Sequence, residues 1–522
     1  MSALEVQAQR FGPSYRYLIT LTVMLGTMAT TSTATIVNVA LTDIMGAFGM
    51  GTDQIQWLST GFLAAMTATM LMTAWAINHL GYKATFNIGM LVFVAGSLLG
   101  AVSTGSGTVI LARVIQGAAS GVLQPFAMVV VSQVFPAEQR GKAMGIFGMG
   151  VVLAPALGPT VGGILVDQYS WRDVFLVVVP FCVLGVMAGN VLLPSRDHSP
   201  DKPRVPFDLL GFVLLCIALT LLLTGLSNGQ RYGWQSDSIL GCFVGSLVAT
   251  GLFIWWELSC RYPLLELRVF GVGQFTAACV VAFALGAGIY GSTYIVPLFL
   301  QTVQGYTATR SGMLMMPAGL ILTVIFPLAG QLTDKVQPHI PIIAGLALFG
   351  VSCWLSQGVD IDTSFLQMAI WVLIGRIGLG LMLPALNAGG LRTLPAEYLA
   401  QGAGSLNFIR QLGGAFGVNL LSVLVDRRTF LHSDALAQTL TTDNWALAEE
   451  VRRLGLFFSH WGNPFGYTLP LKINPGILEY MERVVLPKAR LLAYQDGFLA
   501  VSILFFLTII PAWLMGQRRR KA

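Results

Sequence analysis

Residues 108–126 read TVILARVIQGAASGVLQPF, nineteen residues in which Arg113 is the one charge. A run of about 20 mainly apolar residues is the length of a helix that crosses a bilayer. A cation inside such a helix is costly, so it is expected to face a bundle interior or a water-filled cavity. Arg113 lies near the outer end of this segment and could escape to water only in part, so we read it as facing a cavity rather than snorkelling. A partner to this stretch occurs late in the chain. LIGRIGLGLMLPALN (373–387) again sets one arginine, Arg376, in an apolar run. In both copies a glycine follows the arginine by four residues, Gly117 and Gly380, one helical turn on along the same face.

A second pair of marks follows the same order. After the second apolar segment comes MTAWAINHLGYKA (72–84), and after the tenth LAGQLTDKVQP (328–338). The first turn carries Asn78, His79, Gly81 and Lys83, and the second Gly330, Asp334 and Lys335. One such turn would be weak evidence of a repeat. Two turns and two arginine segments in matching order pair spans 1–6 with spans 9–14 and leave two extra spans between them. Repeated halves with a site at their interface are a design of secondary transporters.

The rest of the chain fits a membrane solvent. It has 522 residues, 55% of them apolar and 10% charged, with a mean hydropathy of +0.72; soluble domains carry about 25% charged residues. The formal charge of +6 is small and scattered, which argues against nucleic acid as a partner. Six separated cysteines form no C-x-x-C pair, so they read as structural thiols, with neither a metal site nor a disulfide framework. The histidines (His79, His198, His339, His432, His460) all lie outside the apolar segments, and the G-x-x-x-x-G-K-[ST] pattern is absent. A membrane enzyme and a self-contained ATP-driven pump are therefore disfavoured. The first residues hold acidic and polar side chains with no small-residue cleavage site, unlike a cleaved signal peptide.

Fourteen spans are predicted, at 17–41, 56–77, 85–103, 108–133, 143–166, 174–193, 207–227, 239–258, 275–300, 311–332, 340–357, 366–390, 405–425 and 496–515. Sixteen lysines and arginines fall in the termini and one set of loops, against Arg172, Arg231 and Arg310 in the opposite short loops. Positive residues mark the cytoplasmic side, so both termini are expected there and the long segment 426–495 outside. The predicted organisation is an N-terminal six-helix bundle (1–193), a cytoplasmic linker (194–206), two extra spans (207–258) and a C-terminal six-helix bundle (275–522) that includes loop 426–495.

At this point the sequence resembles the major facilitator superfamily, and within it the 14-spanner drug:proton antiporters of the EmrB/QacA type. The resemblance covers essentially the whole chain. It rests on TIVNVALTDIMGAFG (35–49), QWLSTGF (56–62), LARVIQG (111–117), GVVLAPALGPTVGG (150–163), LQTVQGYTATRSGMLMMPAG (300–319) and FIRQLGGAFG (408–417). It implies an all-helical exporter of amphipathic small molecules, coupled to protons, in the bacterial inner membrane and without a cofactor. It also implies a periplasmic adaptor protein and an outer-membrane channel as possible partners, with 426–495 as a docking surface or a lid. A metabolite exporter or an uptake permease on the same fold is the alternative; the GP-x-x-GG ending of 150–163 resembles the antiporter motif and argues against uptake.

Two departures stand out. The turn that resembles G-x-L-A-D-R-x-G-R-K has Asn78 and His79 in place of its acid and following base. Thr33 stands where many relatives have an aspartate in helix 1. The candidate proton or substrate residues are thus Arg113, Gln116, Gln124, Asn38, Thr33, Asp43, Arg376, Arg410 and Gln411. Every acid lies outside the middle of a predicted span; Asp43 is the remaining carboxylate candidate, with a solvated loop acid as its plainer reading. Arg410 and Gln411 are placed near the cytoplasmic end of span 13 and read as gating or anchoring. Gly150, Gly158, Gly162 and Gly163 admit close helix approach, and Pro159 bends its helix, so 150–163 is read as the hinge and interface between two rocking halves. Asn78, His79, Gly81, Lys83, Asp334 and Lys335 are the expected cytoplasmic gate.

Overall fold

A computed structural model of the chain describes residues 12, 14–50, 52–136, 139–195, 206–306, 308–439 and 475–516. The regular elements among them are all helical. The N-terminal half contains α1 (Tyr15–Val39), α2 (Leu41–Phe48), α3 (Thr52–Thr69), α4 (Met72–Leu80), α5 (Tyr82–Ala101), α6 (Ser106–Val134), α7 (Arg140–Gln168), α8 (Asp173–Leu176) and α9 (Val179–Leu192). Next come α10 (Leu209–Tyr232) and α11 (Asp237–Ser259), the extra pair. The C-terminal half contains α12 (Gly273–Thr302), α13 (Ala308–Lys335), α14 (His339–Gln357), α15 (Phe365–Arg392), α16 (Leu399–Thr439) and α17 (Pro475–Leu514).

Each predicted span falls on helix. Twelve helices are long and apolar enough to cross a membrane, and a bent pair brings this to as many as 13 among the described residues. That pair is Trp57–Thr69 with Met72–Leu80, bent by 57°, and it occupies the second span. The predicted span 143–166 lies on α7, a single helix of 29 residues.

Two helices overrun their predicted spans. α16 has 41 residues and α17 has 40, so each is about 60 Å long at 1.5 Å per residue, twice the hydrocarbon thickness of about 30 Å. Both run on into the predicted outer segment, where His432 Nε2 meets Asp496 Oδ2 at 2.8 Å and Arg428 Nε lies 3.4 Å from the same oxygen. Residues 440–474, with the amphipathic pattern DNWALAEEVRRLG, lie outside the described residues, as do most of the linker 194–206 and the C-terminal basic cluster.

The two halves share one neighbour pattern. α1 packs on α7 as α12 packs on α16; α3 packs on α6 as α13 packs on α15; α5 and α14 flank α6 and α15. α9 closes on α1 and α5 just as α17 closes on α12 and α14. The glycine one turn past each arginine faces the same neighbour: a Cβ at Gly117 would strike the Phe62 carbonyl on α3, and one at Gly380 the Ile325 side chain on α13. Without a hydrophobic drive between helices in lipid, such close approach supplies the packing.

The halves meet at the end that carries the two basic turns, hereafter the basic end. There α7 crosses α13 with backbone against backbone. A Cβ at Gly141 or Gly330 would collide with the carbonyl of the other residue, and one at Gly145 with the Phe326 carbonyl. On the far side of the same end, Asn407 Nδ2 on α16 lies 3.2 Å from Met128 Sδ on α6.

Candidate functional site

Arg113 sits seven residues into α6, about 10 Å from its start. Only 1% of the residue is exposed. Its guanidinium lies 4.1 Å from the centre of the Phe62 ring. Nε donates to the Leu58 carbonyl at 3.1 Å, and Nη1 to Gln116 Oε1 at 3.1 Å and, at a longer 3.5 Å, to the Thr33 carbonyl. These acceptors are neutral dipoles, so the cation is held by carbonyls, an amide and a ring face rather than by a carboxylate. The arrangement keeps a full positive charge inside the N-terminal half. An anion, or a group that gains or loses a proton nearby, would feel it strongly in a medium of low dielectric.

Gln116 extends the network, since its Nε2 donates to Ser97 Oγ of α5 at 2.9 Å. Thr33 is fully buried, and its hydroxyl donates to the Ala29 carbonyl at 2.9 Å. The position at which the resemblance leads one to expect an acid therefore touches Arg113 through its main chain. Gln124, about three turns beyond Arg113 on α6, makes a 3.9 Å contact from Nε2 to Met66 Sδ. Asn38 lies on α1, and its side chain is outside the described set. Asp43 is exposed in the first turn of α2, the setting of a solvated acid rather than of a buried relay.

The C-terminal counterpart is different. Arg376 is half-buried, and its Nη2 donates to Thr293 Oγ1 at 3.3 Å. Arg410 is half-buried on α16, which begins at Leu399, eleven residues earlier and about 16 Å along the helix. Its Nη2 donates to Asn407 Oδ1 at 2.5 Å, and Tyr290 Oη of α12 donates to Gln411 Oε1 at 3.0 Å. Asn407 escaped sequence reading, since a single amide in an apolar helix carries no pattern.

At the basic end Asp334 acts across the halves. Its Oδ1 accepts from the Gly141 N–H at 2.7 Å and its Oδ2 from the Lys142 N–H at 2.8 Å. These are the first-turn amides of α7, which carry the positive end of the helix dipole. Arg392 Nη2 adds a 3.5 Å contact to Oδ1. The acid thus pairs with a helix start and an arginine, while Lys335 is exposed. In the N-terminal turn Asn78 is exposed, and the His79 ring stacks on Trp75 with centroids 5.0 Å apart. Gly81 ends α4 with φ +83°, a conformation side chains resist, and the Lys83 N–H reaches the Pro194 carbonyl at 3.3 Å.

The glycines of 150–163 pack within their own half. Cβ atoms at Gly150 and Gly158 would strike Met24 and Thr35 of α1, one at Gly162 would lie 3.0 Å from the Ile36 carbonyl, and one at Gly163 meets nothing within 4 Å. Contact with the other half falls about half a turn to two and a half turns before Gly150, at Gly148, Gly145 and Gly141. The spacing GKAMG at 141–145 was the available signal, a small-xxx-small pair. The side chain of Pro159 lies outside the described set.

Comparison with known proteins agrees with this geometry. The Major Facilitator Superfamily profile matches residues 23–418. The chain is 30% identical over 396 residues to the multidrug transporter protein MdtP of Bacillus subtilis, covering 76% of this chain and 72% of that one. It is 28% identical over 452 residues to the multidrug export protein EmrB of Haemophilus influenzae, 86% of each. The crystallised proton:xylose symporter XylE has the same fold, with a TM-score of 0.59 at 12% identity, over 95% of this chain and 96% of that one. The chain belongs to the major facilitator superfamily and is a multi-span membrane transporter, not an enzyme.

Proposed function

We propose that this transporter exports amphipathic small molecules across the bacterial inner membrane, by alternating access and in exchange for protons. The observation that carries the reading is the seam between the halves at the basic end. Asp334 caps α7 from the opposite half, and Gly141 meets Gly330 backbone to backbone. Such a seam is built from contacts that can all part together, as rocking halves require. The basic-residue bias assigns that end and both termini to the cytoplasm, so the chain is described in its outward-facing state, with the 78–83 and 334–335 turns as its cytoplasmic gate.

The substrate class is supported by relatives named a multidrug transporter and a multidrug export protein. Arg113 serves as the buried charge through which proton and substrate occupancy oppose each other. The projecting ends of α16 and α17, pinned by the Asp496 cluster, give a rigid surface for a periplasmic adaptor that leads to an outer-membrane channel.

The test is extrusion of ethidium from de-energised, dye-loaded cells after a fuel is added. Export that a protonophore stops is the expected result. Accumulation of the dye in place of loss, or no movement with the transporter well expressed, would turn the reading toward an uptake permease or a narrow metabolite exporter.

A further inference from the structure

The extra helix pair carries a site of its own at the basic end. Asp208 stands just before α10 and Glu257 in the last turn of α11. They are 9% and 4% exposed. One oxygen of each is well used. Asp208 Oδ1 accepts from the Gly211 N–H at 2.9 Å and from Trp256 Nε1 at 2.8 Å, and Glu257 Oε2 accepts from the Leu265 N–H at 3.2 Å. The other oxygen of each, Asp208 Oδ2 and Glu257 Oε1, is buried with no hydrogen-bond partner. Both orphans converge on one spot: a Cβ built on Gly211 would collide with Asp208 Oδ2 and lie 2.8 Å from Glu257 Oε1.

Two buried acceptors without a donor between them are expensive, and two ionised carboxylates side by side more so. A single proton cures both faults. We infer that Asp208 and Glu257 form a proton-binding site that holds one proton between Oδ2 and Oε1. Asp208 is the acceptor of the pair, because its other oxygen already takes two N–H donors and it sits at the positive start of α10. Glu257 keeps the proton and donates it to Asp208. Release of that proton leaves two anions against Gly211 and drives the start of α10 away from the end of α11.

A cavity of about 170 Å³ adjoins the site and is lined by Trp75, Asn78, Asp208, Arg261, Glu266 and Gln401, among others. Trp75 packs on Phe207, with ring centroids 4.8 Å apart, and on His79. The site therefore abuts the turn after the second span, and among the described residues the charged groups that face it are Arg261 and Glu266 on the 260–266 segment, with His79 behind Trp75. On the reading that the basic end is cytoplasmic, the proton exchanges with the cytoplasm.

The test is infrared spectroscopy of the purified full-length protein at neutral pH, in H2O and in D2O, a readout that does not depend on transport. Wild type should show a protonated-carboxyl C=O band that shifts in D2O. The band should vanish in Glu257→Gln, whose amide takes over the donor role, and in Asp208→Asn, whose amide donates to an ionised Glu257. A wild type without the band, or a band that persists unchanged in both variants, would overturn the site. Loss of the band together with unaltered ethidium export would leave the proton site standing and separate it from the export reading.

Discussion

The two halves repeat their packing but not their charges. α6 and α15 occupy equivalent places, each with an arginine followed by a glycine that seats on the neighbouring helix. Arg113 is buried and bonded to Leu58, Gln116 and Thr33, whereas Arg376 is half-buried and reaches Thr293. At the basic end the asymmetry reverses. The C-terminal turn has an acid that caps a helix across the interface, and the N-terminal turn has Asn78 and a histidine stacked on Trp75. Small residues preserve the scaffold because each helix seam tolerates no added Cβ. Charges are free to diverge, so one half holds the buried cation and the other holds the latch.

That division predicts unequal effects for equivalent substitutions. The largest is expected at Arg113. Arg113→Ala leaves the Leu58, Thr33 and Gln116 acceptors without their donor, each bond to a charge being worth about 1.5–3 kcal/mol. It should abolish dye export while the protein still reaches the membrane, whereas Arg376→Ala should keep most of it. Equal losses in the two variants, read by the same efflux assay, would erase the distinction. A smaller effect is expected from Asp334→Ala. Losing a charged cap on α7 costs about 1–2 kcal/mol, a five- to thirty-fold shift of about that size in the balance between open and closed basic ends. Accessibility of a cysteine placed at Gly148 to a membrane-impermeant thiol reagent added from the cytoplasmic side should rise accordingly. The smallest effect belongs to Asn78→Asp. An acid at the exposed N-terminal turn should move the same balance by less than about fivefold, since exposed charge pairs contribute about 0–1 kcal/mol.

Thr33 sharpens the comparison further. Its carbonyl already touches Arg113, so Thr33→Asp would add a buried carboxylate to the helical turn that contacts the cation. Export in that variant should become more steeply dependent on external pH than in wild type, because the new acid must be protonated or paired in each cycle. An unchanged pH profile would mean that the residue at this position has no part in coupling.

Much of this was legible in the sequence for physical reasons. Apolar length gave the spans, and the matched marks at Arg113/Arg376 and at 78–83/334–335 gave the repeat, because a buried charge and a tight basic turn are rare enough to be recognised twice. The limits are equally physical. Hydropathy registers where the bilayer is, not where a helix stops, so α16 and α17 ran on beyond their apolar stretches through Asp426, Arg427, Arg428 and Arg490. Small residues announce that a neighbour comes close without saying which one. Gly150, Gly158 and Gly162 therefore suited an interface between halves as well as the α1 seam they in fact form. The partner of Asp334 was hidden for a related reason: a helix start offers backbone donors that no side chain advertises.

The most direct measurement is the distance between spin labels at Gln139 and Lys335, two exposed positions flanking the α7–α13 seam, in a reconstituted background without the six native cysteines. A short distance should dominate at rest. Substrate or Asp334→Ala should add a longer population, while Arg376→Ala should leave the distribution as it was. A single unchanged distance in every condition would contradict a transporter whose halves part at this seam.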